Sequence, residues 1–111
     1  MSISSPSRPD SDARTAIIEI EGDLDAQGGK RARKTIAAAI EAGRVDVTVN
    51  LDRVGFVDSA GLASLISSLR SAREKGGDIR VTTSNERIRR VLEVTALARV
   101  FKLQPPVVIA A

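Results

Sequence analysis

VDVTVNL, Val45 to Leu51, alternates apolar and polar side chains at every step. Successive side chains of a strand point to opposite faces, so the stretch predicts a strand with one buried face and one polar face. Ile79-Arg80-Val81-Thr82 repeats the alternation, and Ile17-Ile18-Glu19-Ile20-Glu21, closed by Gly22, reads as an earlier strand. A parallel sheet covered on both faces shows continuous apolar runs instead. The pattern therefore places the helices mainly on one face of the sheet.

Helical periodicity fills the intervals. GDLDAQGG reads as a loop, followed by a helix over about Lys30 to Ala42 with Ala32, Ile36, Ala39 and Ile40 on one stripe; Gly43 ends it. After Phe56-Val57-Asp58-Ser59-Ala60-Gly61 a second helix runs to about Lys75, with Leu62, Leu65, Ile66 and Leu69 toward the core. Ser64, Ser68 and Ser71 share another face, read either as solvated or as a flat partner surface running away from Ser59. Thr83-Ser84-Asn85-Glu86 has the form of a capping box, with Thr83 as cap, before a third helix carrying Ile88, Val91 and Leu92. Val100-Phe101-Lys102-Leu103 reads as a last edge strand. The order is β-α-β-α-β-α-β. Right-handed crossovers between neighbouring strands keep all helices on one side. The expectation is one α/β domain over residues 15–104, with a mixed, mostly parallel sheet of four to five strands. Residues 1–14, rich in Ser, Pro and Asp, are expected to be a disordered tail. Pro105-Pro106 leaves 105–111 as a short C-terminal tail.

Composition excludes much chemistry. The chain of 111 residues has no Cys and no His. That removes disulfides, thiolate nucleophiles, Ser-His catalysis and His- or Cys-based zinc sites. With no Trp, no Tyr and only 2 Phe, base stacking on a nucleic acid has no platform. Net charge is +3, and the densest basic stretches, Lys30-Arg31-Ala32-Arg33-Lys34 and Arg87-Ile88-Arg89-Arg90, lie within helical patterns. They read as solvated helix faces or as an anion-binding or acidic-partner surface. No signal peptide and no apolar run near the ~20 residues of a membrane span is present, so a cytoplasmic protein is expected.

Asp58-Ser59-Ala60-Gly61 lies where strand gives way to helix. Asp and Ser are both favoured N-caps, and either could serve. Two polar residues compete for one role. Ala60 and Gly61 are too small to shield the Ser59 hydroxyl, which falls at the end of a strand, where α/β folds place their sites. A phosphate there would meet the positive end of the helix dipole. It would also add about two negative charges beside Asp58. The fold would tolerate the change, whereas a docked partner would not. Asp23 and Asp25 could cap or turn the loop before the first helix, and Gly61 could serve close packing.

IIEIEGDLD, VTVNLDRVGFVDSAGL and GGDIRVTTSNERIRRVLEVTALARVFKL together resemble the STAS family of bacterial anti-sigma factor antagonists, over about residues 16 to 103. The most specific part is NLDRVGFVDSAGL, and GDLD at Gly22 to Asp25 is a second match. The resemblance implies a STAS-like fold and a non-enzymatic switch. In such antagonists the unphosphorylated form binds an anti-sigma factor that is also a serine kinase of the histidine-kinase-like ATPase fold, which frees a sigma factor. The kinase phosphorylates the serine after the motif aspartate, here Ser59, and a metal-dependent phosphatase resets it. The implied partner-binding residues are Asp23, Asp58, Ser59, Ala60, Gly61 and Ser64. ATP belongs to the kinase, so the resemblance implies no cofactor for this chain. Many members carry Ser or Thr where this chain has Ala60, which bears on kinase or phosphatase contacts. The alternative is a constitutive scaffold or accessory subunit of a stress-signalling or lipid-transport complex. A nucleotide sensor at Ser59 to Gly61 has little support, since no Walker-type glycine loop is present.

Overall fold

The computed structural model describes residues 2–4 and 13–101. The elements in chain order are β1 (Ser2–Ser4), β2 (Thr15–Leu24), α1 (Ala26–Glu41), β3 (Asp46–Val57), α2 (Ser59–Glu74), β4 (Asp78–Thr82), α3 (Glu86–Val94) and α4 (Leu97–Val100). The sheet order is β1-β2-β3-β4. β2 with β3 and β3 with β4 pair parallel, each through a helical crossover, so α1 and α2 lie on the same side of the sheet.

Side-chain burial follows the alternation. Ala16, Ile18 and Ile20 of β2, Val47, Val49 and Leu51 of β3, and Ile79 and Val81 of β4 are buried. They pack with Ala32, Ile36, Ala39 and Ile40 of α1, Leu62, Leu65, Leu69 and Ala72 of α2, and Ile88 and Leu92 of α3 in one core. The intervening strand residues are open or half-open. Ile17 is exposed, and Arg53 reaches Glu19 at 3.2 Å and Glu21 at 3.8 Å across that face. Such solvated pairs contribute little to stability.

The parallel body has three strands where the sequence reading expected four to five. Ser2–Ser4, within the segment read as a tail, adds a short antiparallel edge to β2. The expected strand at Val100–Leu103 is not formed within the described residues. Val100 ends the one-turn α4, and Lys102 and Leu103 lie outside the described residues. Phe101 keeps part of the expected role, since its carbonyl accepts from Val81 N at 3.2 Å on the open edge of β4. Its ring is fully buried in the core.

The strands also outrun the alternation. β3 continues past Leu51 to Val57, although the next buried residue is Val54, three positions on. The β2–β3 register shifts between Glu19 and Glu21 and again between Gly22 and Leu24. Such bulges add a residue to one strand and break the period-two pattern, which hid the strand end in the sequence. β2 likewise runs through Gly22, whose φ of +86° suits glycine, and Asp23 to Leu24. Asp23 is therefore a strand residue, not part of a loop. Asp25 caps α1, accepting from Gly28 N at 2.8 Å, so the helix starts at Ala26 rather than Lys30. At α3 the cap is Asn85, which accepts from Arg87 N at 2.9 Å. Thr83 Oγ1 instead accepts from Asn85 N at 3.0 Å, a turn that sets up the cap and replaces the expected capping box.

Candidate functional site

The pairing of Leu24 with Val57 brings two segments to one end of the sheet: Asp23 to Asp25, and Asp58 to Ala60. Asp58 N donates to the Leu24 carbonyl at 3.2 Å and ties the two strand ends together. A Cβ on Gly55 would lie 3.7 Å from Asp23 Oδ1, so the exposed Asp23 carboxylate stands over the neighbouring strand.

The competition for the cap of α2 is resolved in favour of Asp58. Its Oδ1 accepts from Gly61 N at 2.9 Å, and its carbonyl accepts from Leu62 N at 3.0 Å. Ser59 is the first helical residue and is exposed, and its hydroxyl makes no hydrogen bond among the described residues. Ala60 beside it is exposed as well. The N–H groups of Ser59 and Ala60 belong to the first turn, which has no intrahelical acceptors for them. The site is thus a solvent-facing hydroxyl at the positive end of a 16-residue helix, with its capping role filled by its neighbour.

This division of labour has a measurable consequence. Asp58→Ala should lose about 1 kcal/mol of stability in urea unfolding, the usual cost of a lost cap, while Ser59→Ala should leave the midpoint unchanged. Equal losses from both variants would assign capping to Ser59 as well.

Two of the expected contact residues turn inward. Gly61 is buried, and a Cβ there would meet the Leu24 carbonyl oxygen. Ser64 is half-buried, donates to the Ala60 carbonyl at 3.2 Å and faces Gly29 of α1. The Ser64-Ser68-Ser71 stripe is correspondingly solvated only in part, with Ser71 exposed and Ser64 half-buried. Ser68 is 5% exposed, and the stripe faces α1. Sequence reasoning passed over one exposed residue near the site. Phe56, two residues before Asp58, is 52% exposed. The signal was present in the quoted FVDSAGL, but an aromatic in an apolar strand reads as core until the bulge is known.

Among the described residues no cluster of three or more acidic side chains could hold a metal ion, and no helix is long and apolar enough to cross a membrane.

The comparisons agree with this architecture. A curated anti-sigma F factor antagonist of Paenibacillus polymyxa is 27% identical over 90 residues, covering 80% of this chain and 74% of the relative. The crystal structure of an anti-sigma factor antagonist from Mycobacterium paratuberculosis superposes with a TM-score of 0.72 at 21% identity, covering 96% of this chain and 88% of the other. The Bacillus cell fate determinant SpoIIAA in its phosphorylated form gives 0.66 at 20% identity, covering 94% and 90%. The family model described as "Mlab, STAS domain" matches residues 7–105, and the chain belongs to the STAS domain family.

Proposed function

We propose that this chain is an anti-sigma factor antagonist switched by phosphorylation of Ser59. In its unphosphorylated form it sequesters an anti-sigma factor that is also a serine kinase of the histidine-kinase-like ATPase fold. A sigma factor is thereby freed, and a metal-dependent phosphatase returns the modified protein to the binding state. The reading gives the chain no catalytic residue and no cofactor of its own. Asp23, Ser59 and Ala60 form the contact surface, with Phe56 as an apolar anchor at its edge. Asp58, Gly61 and Ser64 hold that surface in shape.

The observation that carries the reading is the state of Ser59: exposed, at the first position of α2, and relieved of capping by Asp58. A phosphate there is favoured by the helix terminus by some tenths to about 1 kcal/mol, so modification leaves the fold standing. The same phosphate places about two negative charges in the middle of the proposed contact surface, where an apposed partner must desolvate them. The curated relatives, which are anti-sigma factor antagonists at low identity, support the partner class.

A second reading, a constitutive accessory subunit, draws on the Mlab description of the matching family model. One experiment separates the two. Wild-type, Ser59→Ala and Ser59→Asp baits are used for capture from a lysate of the native host, with bound proteins identified by mass spectrometry. The switch predicts that an ATPase-fold kinase is retained by wild type and Ser59→Ala, and that Ser59→Asp loses it by about tenfold or more with an unchanged Tm. Retention of the same partners by all three baits would remove the switch and leave the constitutive subunit.

A further inference from the structure

The two long helices touch at one end and leave a groove further along. A Cβ on Gly29 would stand 2.5 Å from Ser64 Oγ and 3.4 Å from Gly61 Cα, so α1 and α2 meet there almost backbone to backbone. Beyond that contact a groove of about 380 Å³ opens between them, within the size range of small-molecule sites.

Its walls are chemically distinct. The α1 wall carries Lys30, Arg33 and Lys34, all exposed, and none of the three side chains has an ion pair or hydrogen bond among the described residues. The α2 wall presents hydroxyls. Ser71 Oγ donates to the Ser67 carbonyl at 3.3 Å and keeps its lone pairs. Ser68, which lines the groove, is only 5% exposed, yet its hydroxyl has no partner among the described residues. No buried side-chain oxygen among the described residues lacks a partner, so this hydroxyl is open to the groove. The floor is aliphatic, from the buried Ile36 and Ile40.

We propose that this groove binds a small amphiphilic anion, a phosphate monoester carrying a short alkyl chain. Three cations suit a near-dianionic head better than a single carboxylate charge. The hydroxyls of Ser67 and Ser68 face its oxygens. Ala37 and the edge of Ile40, above the fully buried Ile36, cover the alkyl part, a contact that a bare inorganic anion would leave unused. A nucleotide base finds no aromatic here, since Phe56 and Phe101 do not line the groove. The site is separate from Ser59, and its occupancy does not depend on the switch proposed above.

The test is an amide-resolved NMR titration of the full chain with monooctyl phosphate, with inorganic phosphate and octanol titrated separately. Saturable shifts should map to Lys30–Ile40 and Ser64–Ser71 and weaken as salt is raised. The double variant Arg33→Glu, Lys34→Glu should bind about tenfold more weakly or worse. Ser68→Ala should weaken binding several-fold in a spectrum otherwise like wild type, which keeps the test informative if the double variant folds poorly. The proposal falls if millimolar monooctyl phosphate produces no saturable shift in these segments, or if both variants bind like wild type. It also falls if inorganic phosphate or octanol alone binds as tightly, or if the shifts centre on Ser59.

Discussion

Gly61→Ala is expected to unfold the domain or to lower its denaturant midpoint more than any other single-methyl addition in α2. Intrinsic propensity points the other way, because alanine is favoured over glycine within a helix by about 1 kcal/mol. The contact decides against it. A Cβ on Gly61 would coincide with the Leu24 carbonyl and approach Leu24 Cγ at 2.9 Å. The obstacle is mostly backbone, at the end of a strand whose carbonyl also accepts from Asp58 N. Relief requires α2 to move off β2, which breaks that bond and loosens Leu62 and Leu65 in the core. Overpacking of this kind costs about 1–3 kcal/mol and more where the neighbour cannot yield, so a net loss of about 3 kcal/mol is expected. That is a large share of the total for a domain this size. Urea unfolding with the slope held common gives the value, and a midpoint equal to or above wild type would mean that the helix rides up freely and the close approach is not a constraint.

Phe101→Ala is expected to cost about 3–5 kcal/mol, the range for deleting a buried aromatic ring. Phe101 heads the fully buried side chains by size and comes from the last residue the structure describes. Its main chain is held on both sides, with N donating to the Leu97 carbonyl at 3.0 Å and O accepting from Val81 N. The ring cannot be replaced from elsewhere, because the only other Phe, Phe56, is exposed. A loss below about 1 kcal/mol would indicate that the segment after α3 is a loose appendage, contrary to its burial.

Much of the fold was legible because it rests on periodicity. VDVTVNL and Ile79 to Thr82 announced one-sided strands, and their buried residues are the ones the alternation selects. The stripes of α1 and α2 were readable for the same reason, as was the end of α1 at Gly43, whose φ is +86°. What failed was information that period cannot carry. The register shifts after Glu19 and after Gly22 broke the alternation of β3 and concealed the true strand ends. Asp25, Asn85 and Thr83 are all competent caps by type, and only backbone geometry selects among them.

The site divides in the same way. The sequence by itself determined that a hydroxyl and a carboxylate stand together at a strand-to-helix junction, that no His, Cys, Trp or Tyr joins them, and that the residues beside the hydroxyl are small. Only the tertiary structure decided which of the pair caps the helix, because capping depends on the φ and ψ of Asp58 and the reach of its Oδ1 to Gly61 N. Only the tertiary structure turned Gly61 and Ser64 inward and made the serine stripe one side of a groove facing α1. A stripe of small polar residues is compatible with solvent and with a packed helix alike. Which neighbour it meets is set by long-range strand order, which no local pattern encodes.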